Sequence, residues 1–312
     1  MQTLEFRAMN TSILLAAEGE ELAIAGLQAA RALIESSELR FSRFLVDSEL
    51  SMLNRSTGHW FPVSDDLLEL ITLSLRYFAE TEGLFDPSIL PDLKRVGYDR
   101  SMELLIAQEK VGDSRTPRTV RPSFSSIEID LSGRRVRLPQ SVELDLGGIA
   151  KGWIVEQASN LLRTYSSTCA VSAGGDIKFT GFPEGGKWRV ELEDPRDPEK
   201  IKTVLFVDQS TVVTSSITKR TWNQGGLVRH HLIDPRTGEP AVTNWLSVTV
   251  IAPEITDAEV YAKALLIGGE IEAKRLMIHN PGLAYISVDL DGNISGSIIG
   301  LEYLNDYHYE YR

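Results

Sequence analysis

Between residues 168 and 251, short β-rich runs follow one another with no helical pattern between them: 168–172, 176–180, 188–192, 203–207, 211–214, 229–233 and 246–251. Others occupy 127–130, 135–138 and 143–146 ahead of this block, 284–288 and 293–299 behind it, and 11–17 near the start. Helical periodicity interrupts the series irregularly, at 20–37, 65–80, about 148–163, 256–267 and 270–279. In the first of these Leu22, Leu27, Ala30 and Ile34 share one face, and Ser64 is placed to cap the second, with Asp65 and Asp66 at its positive end. Strands in blocks with irregular helices predict an α+β fold, a mainly antiparallel sheet with packed helices, and not a doubly wound parallel one.

A chain of 312 residues can bury its own core without disulfides or structural metal. One integrated domain over 1–312 is expected, with a polar, proline-containing loop at about 109–126. Against 44 Asp and Glu stand only 32 Lys and Arg, a net charge of −12, which argues against nucleic acid as a partner because that needs a concentrated basic face. Cys169 is the one cysteine, which excludes an internal disulfide framework. No apolar stretch is long enough to span a bilayer, and the opening residues carry no secretory or lipid-anchor pattern, so a cytoplasmic location is expected.

Several short motifs carry chemistry as well as a structural alternative. Asp145-Leu-Gly-Gly-Ile-Ala-Lys151-Gly152 joins a strand to a helix, where glycines let backbone N–H groups approach an anion and a lysine adds charge; it is also an ordinary turn. Ser172-Ala-Gly-Gly-Asp176 reads as a second such turn or as a tight hairpin. His230-His231-Leu-Ile233-Asp234-Pro-Arg-Thr-Gly238 ends in turn residues, and two adjacent histidines on a strand point to opposite faces. Asp289-Leu-Asp-Gly-Asn293 lacks the twelfth-position glutamate of a calcium loop, since Gly300 stands there, and reads as a hairpin turn.

In chain order, AMNT at Met9, FSRFLVDSELSMLN, GLFDPSI, LDLGGIAKG, SAGGDI, HHLIDPRTGEP and AEVYAKALLIGG resemble the ApbE family of FAD:protein FMN transferases. The resemblance implies a T-fold-like α+β fold that binds FAD, and a reaction that moves FMN from FAD onto a Ser or Thr hydroxyl of an acceptor flavoprotein, releasing AMP. It matches Met9, Phe44, Leu84, Phe85, Asp86, Asp145, Lys151, Asp176 and Ile233 to positions lining the flavin nucleotide. His231 falls at the H-x-I-D-P position as the candidate base, with Asp234 either orienting it or holding the loop. The family's Mg²⁺ would be held by a backbone carbonyl, here Gly148, and by an aspartate and a threonine one helical turn apart.

At those last two positions this chain has Glu259 and Lys263. An ammonium has no lone pair to give a metal. Thr256-Asp-Ala-Glu259 also reads as a capping box and Glu259–Lys263 as a surface i,i+4 pair; alternatively Lys263 supplies a fixed charge where the metal would sit. Ser216 stands in place of a usual glycine, and Arg220-Thr-Trp222 follows where a tyrosine is common. Two other functions share these motifs: an FAD-binding protein without transfer chemistry, and an FAD pyrophosphatase that uses water.

Overall fold

The computed structural model describes residues 1–106, 117–118 and 120–305. Residues 109–116 and 119 of the polar loop expected at about 109–126 lie outside the described residues; its last part forms a short 3₁₀ turn, Phe124–Ser126, capped by Ser123. The chain folds as two compact units. The first is built from Met1–Glu35, Lys151–Lys219 and the stretch from Thr243 onward; the second from Ser36–Ala150 and Arg220–Val242.

The first unit centres on an eight-stranded sheet, antiparallel throughout. Its strands are β1 (Gln2–Ala8), β2 (Thr11–Ala17), β3 (Cys169–Ala173), β4 (Asp176–Thr180), β5 (Thr211–Ser216), β6 (Trp245–Ala252), β7 (Ala284–Asp289) and β8 (Ile294–Gly296). Their order across the sheet is their order along the chain. Each strand therefore pairs with its sequence neighbours, and the second unit is inserted within the β2–β3 and β5–β6 connections.

Side chains alternate across this sheet. Val212, Ile251, Ala284 and Ile286 face a hairpin, Trp188–Asp194 with Asp197–Val207, and share one apolar cluster with its Val190, Leu205 and Val207. Trp188 stacks on Phe179 of β4 at 4.8 Å. Between those positions Val213 and Val250 are fully buried on the opposite face, where the long helix Ile255–His279 runs against β5 and β6.

In the second unit, helix Asp65–Glu80 begins where the sequence places it, with Ser64 Oγ accepting from the Leu67 amide. Helix Glu49–Arg55 is capped the same way by Ser48. A three-stranded sheet joins Trp60–Pro62, Arg135–Arg137 and Glu128–Asp130.

Three local expectations change. The run at 143–146 is not a strand: Leu144 is paired at both main-chain groups by the Asn54 amide (2.7 and 2.8 Å), and the Asp145 amide donates to the Pro87 carbonyl, so no neighbouring strand is left to pair. The strand expected at 293–299 stops at Gly296, because Ser297 Oγ accepts from the Gly300 amide and starts helix Ile298–Asn305. The capping box at Thr256 does not form either. The long helix starts one residue earlier, Glu254 has the cap position without a side-chain bond, and Glu259 turns inward. The expected division of this helix is seen as a kink at Gly269, whose φ of 69° a glycine takes without strain. Among the described residues no helix is long and apolar enough to cross a membrane.

Candidate functional site

One end of the eight-stranded sheet gathers the turns that matter. The β1–β2 hairpin closes through Met9 and Asn10, with φ of 53° and 59°, and the β3–β4 hairpin through Gly174 and Gly175, with φ of 63° and 90°. Positive φ at both central residues is the type I′ turn that matches the strand twist. Asn and Gly adopt it readily; a methionine does so at a cost of about 1–2 kcal/mol. Met9 thus carries backbone strain at the start of the family-like motif series.

Beside these turns lies a cluster of four charges. Lys151 comes from the first turn of helix Ala150–Leu162, Asp176 from the first position of β4, and Glu259 and Lys263 from successive turns of the long helix. Lys151 Nζ pairs with Asp176 Oδ2 and lies 3.1 Å from Glu259 Oε1. Lys263 Nζ lies 3.1 Å from the same Glu259 oxygen and donates to the Glu259 carbonyl at 3.3 Å. Backbone amides fix the other two carboxylate oxygens: Gly152 donates to Glu259 Oε2 at 2.6 Å and Thr214 to Asp176 Oδ1 at 3.0 Å. Gly152 is required there, since a Cβ would lie 2.9 Å from Glu259 Oε2 and 3.1 Å from the Ile255 carbonyl.

Glu259 has no exposed side-chain surface. Burial would raise its pKa, but Lys151 and Lys263 outweigh that and hold it at about 2. Burial also pulls both lysines down; Asp176 with Glu259 nevertheless keeps Lys151 above its ordinary value, whereas Lys263, with Glu259 as its near carboxylate, stays below. The pair is buried, not the surface pair that helix spacing alone suggests.

These residues do not fit Mg²⁺. That ion asks for oxygen ligands at about 2.0–2.1 Å in near-octahedral array. Both oxygens of Glu259 are taken, by two ammonium groups and an amide, and Lys263 has no lone pair to offer. Among the described residues no group of three or more His, Cys, Asp or Glu is arranged to hold a metal. Gly148 belongs to the second unit. In its turn the Gly147 amide donates to Asp145 Oδ1 (2.6 Å), and those of Ile149 and Ala150 donate to the Leu146 carbonyl. Among the described residues the Gly148 amide, which lies between them, has no protein acceptor.

The second unit brings Phe44 and Asp145 together through a residue the sequence did not single out, Arg43. Its guanidinium pairs with Asp145 Oδ2 at 2.6 Å, donates to the Tyr98 carbonyl at 3.0 Å, and lies over the rings of Phe44 (4.2 Å) and Tyr98 (4.7 Å). Tyr98 stacks on Trp222 at 5.4 Å, and Trp222 shares an apolar cluster with Ile233. Burial raises the Tyr98 hydroxyl pKa, with Arg220 and Arg43 opposing. Of the Leu84-Phe85-Asp86 stretch, Leu84 and Phe85 are core residues, Phe85 edge-on to Tyr77, and Asp86 Oδ1 caps the next turn through the Ser88 amide.

His231 sits just after the strand Leu227–His230, so strand alternation stops one residue short of it. Its amide donates to the Arg220 carbonyl, while the His230 ring meets the Ala241 carbonyl at 3.1 Å. Asp234 holds the following turn, accepting from the Arg236 amide and pairing with its guanidinium at 2.8 Å. A second brace on this turn was not visible in the sequence: buried Asp92 pairs with Arg118 and Arg121, and Arg118 donates to the carbonyls of Pro235 and Arg236. Asp-x-Arg spacing makes the Asp234–Arg236 pair legible; nothing local foretells Asp92 or Arg43.

The profile of the ApbE family matches residues 9–287. The FAD:protein FMN transferase of Treponema pallidum is 30% identical over 294 residues, which span 88% of this chain and 79% of that protein. The protein of the same name from Escherichia coli K12 is 27% identical over 267 residues, 83% and 75% of the two chains. Among solved structures, the ApbE protein of Thermotoga maritima matches with a TM-score of 0.83 at 24% identity, over 97% of this chain and 99% of that one. The flavin transferase ApbE of Vibrio cholerae matches at 0.79 and 22% identity, over the same shares. Those two likenesses establish a shared α+β fold.

Proposed function

Because this chain belongs to the ApbE family, we propose that it transfers the FMN half of FAD to a Ser or Thr hydroxyl of an acceptor flavoprotein and releases AMP. What carries the reading is the full motif series in family order, ending in a cluster that sets two ammonium groups beside each other. In the reaction the hydroxyl oxygen attacks the phosphorus on the riboflavin side. The bond from that phosphorus to the bridging oxygen breaks, and AMP leaves with the oxygen.

Two needs follow: positive charge on the phosphoryl oxygens, and an acceptor for the hydroxyl proton. Lys151 supplies the first, with the Gly148 amide as an uncommitted donor. His231 takes the proton, and the braced turn after it, through Asp234–Arg236 and Asp92–Arg118, keeps its backbone in place. Phe44, exposed and packed against the buried Arg43 guanidinium, offers an aromatic surface to a ring.

Incubation with FAD, with and without a Ser/Thr acceptor peptide, tests the reading by AMP release and peptide mass. Peptide-dependent AMP release with a peptide gaining the mass of FMN is expected. His231→Ala should slow it by about 10²–10⁴ while leaving FAD affinity within a few fold, and His230→Ala should do much less. AMP release that ignores the peptide would identify a pyrophosphatase instead; FAD bound with no AMP released would identify a binding protein.

A further inference from the structure

Lys151 and Lys263 are the cations of a buried quartet, yet neither is saturated as a donor. An ammonium carries three N–H groups. Lys151 directs two at Asp176 and Glu259, and Lys263 directs two at the carboxylate and the main-chain oxygen of Glu259. Among the described residues each keeps one N–H without a protein acceptor, and the two side chains remain 17% and 16% exposed. The carboxylates between them cannot rotate away, because the Gly152 and Thr214 amides hold their other oxygens.

Both ammonium groups touch one atom, Glu259 Oε1, at 3.1 Å, so their separation is set by the protein before any ligand arrives. Two preorganised donors side by side suit an anion with two adjacent charged groups, and a diphosphate is such an anion. They do not suit a cation, which would meet two positive charges and no free carboxylate oxygen.

Resting on the transferase reading, we propose that Lys151 and Lys263 together hold the diphosphate of FAD in place of a divalent cation, so that nucleotide binding by this chain is independent of metal. Glu259 and Asp176 are positioning residues in this arrangement. They aim the ammonium groups and keep them charged without touching the nucleotide.

Calorimetric titration of the wild-type protein with FAD, in EDTA and in excess Mg²⁺, tests this without any variant. The two affinities should agree. Lys263→Met should weaken FAD binding about 10- to 100-fold in both buffers, as expected for one lost charge-assisted bond, and Lys263→Arg should restore most of it. Circular dichroism checks that both variants fold. FAD binding weakened about tenfold or more by EDTA would overturn the proposal, and so would a folded Lys263→Met protein that binds FAD like wild type. Metal-independent, Lys263-dependent binding with no FMN transferred would leave the anchor standing and remove the transferase reading. FMN transfer together with FAD binding that EDTA weakens about tenfold or more would do the reverse.

Discussion

At Glu259 the helix spacing offers Lys263 as an i,i+4 partner, a pairing that contributes about 0.3–0.5 kcal/mol on a surface. Here the carboxylate is fully buried and serves two ammonium groups and an amide. Removing one member of such a group leaves buried charge uncompensated, so Glu259→Gln should destabilise the protein by about 3–5 kcal/mol at neutral pH, read from urea unfolding. Its pKa is held at about 2 in the fold, against 4.5 for a free glutamate. A pKa lowered by folding gives stability that is complete above the unfolded value and is lost as pH falls through the folded one. The difference between wild type and Glu259→Gln should therefore shrink between about pH 4.5 and about pH 2. A difference that stayed constant over that range would assign the loss to packing instead of charge.

Helix Ala150–Leu162 and the long helix meet at Gly152, and that contact decides where Lys151 points. A methyl group at 152 would press on Glu259 Oε2 and on the Ile255 carbonyl, a main-chain atom that cannot swing aside. Gly152→Ala should cost about 1–3 kcal/mol, the usual range for forced overpacking, although alanine favours a helix. Thermal unfolding measures it, and a variant as stable as wild type would show that the two helices can part freely. The same elements show which were readable in advance. Helix Asp65–Glu80 announces itself through periodicity and Ser64, both local signals. The run at 143–146 has strand-like residues, but its backbone partners are Asn54 and Pro87, remote in sequence, and no local pattern reports them.

For the whole molecule, a ligand that binds only the folded state stabilises it by mass action, about 2.7 kcal/mol at a hundred times Kd. FAD, with a diphosphate and an adenine, should raise the unfolding temperature more than FMN at equal concentration, and calorimetry with FAD, FMN and AMP should give the tightest binding to FAD. Equal affinity for FAD and FMN would remove the adenine-bearing half from the recognised ligand. What the sequence determined by itself was the class of fold, a mainly antiparallel sheet and the family-like motifs, because periodicity, turn residues and motif order are properties of neighbouring residues. Only the tertiary structure decided that Lys151, Asp176, Glu259 and Lys263 form one cluster, and that within the second unit Arg43 pairs with Asp145, Asp92 with Arg118, and Asp234 braces a turn. Burial is set by what the rest of the chain lays over a residue. It turned a pair that reads as a solvated surface contact into a desolvated charge group, where each remaining donor matters.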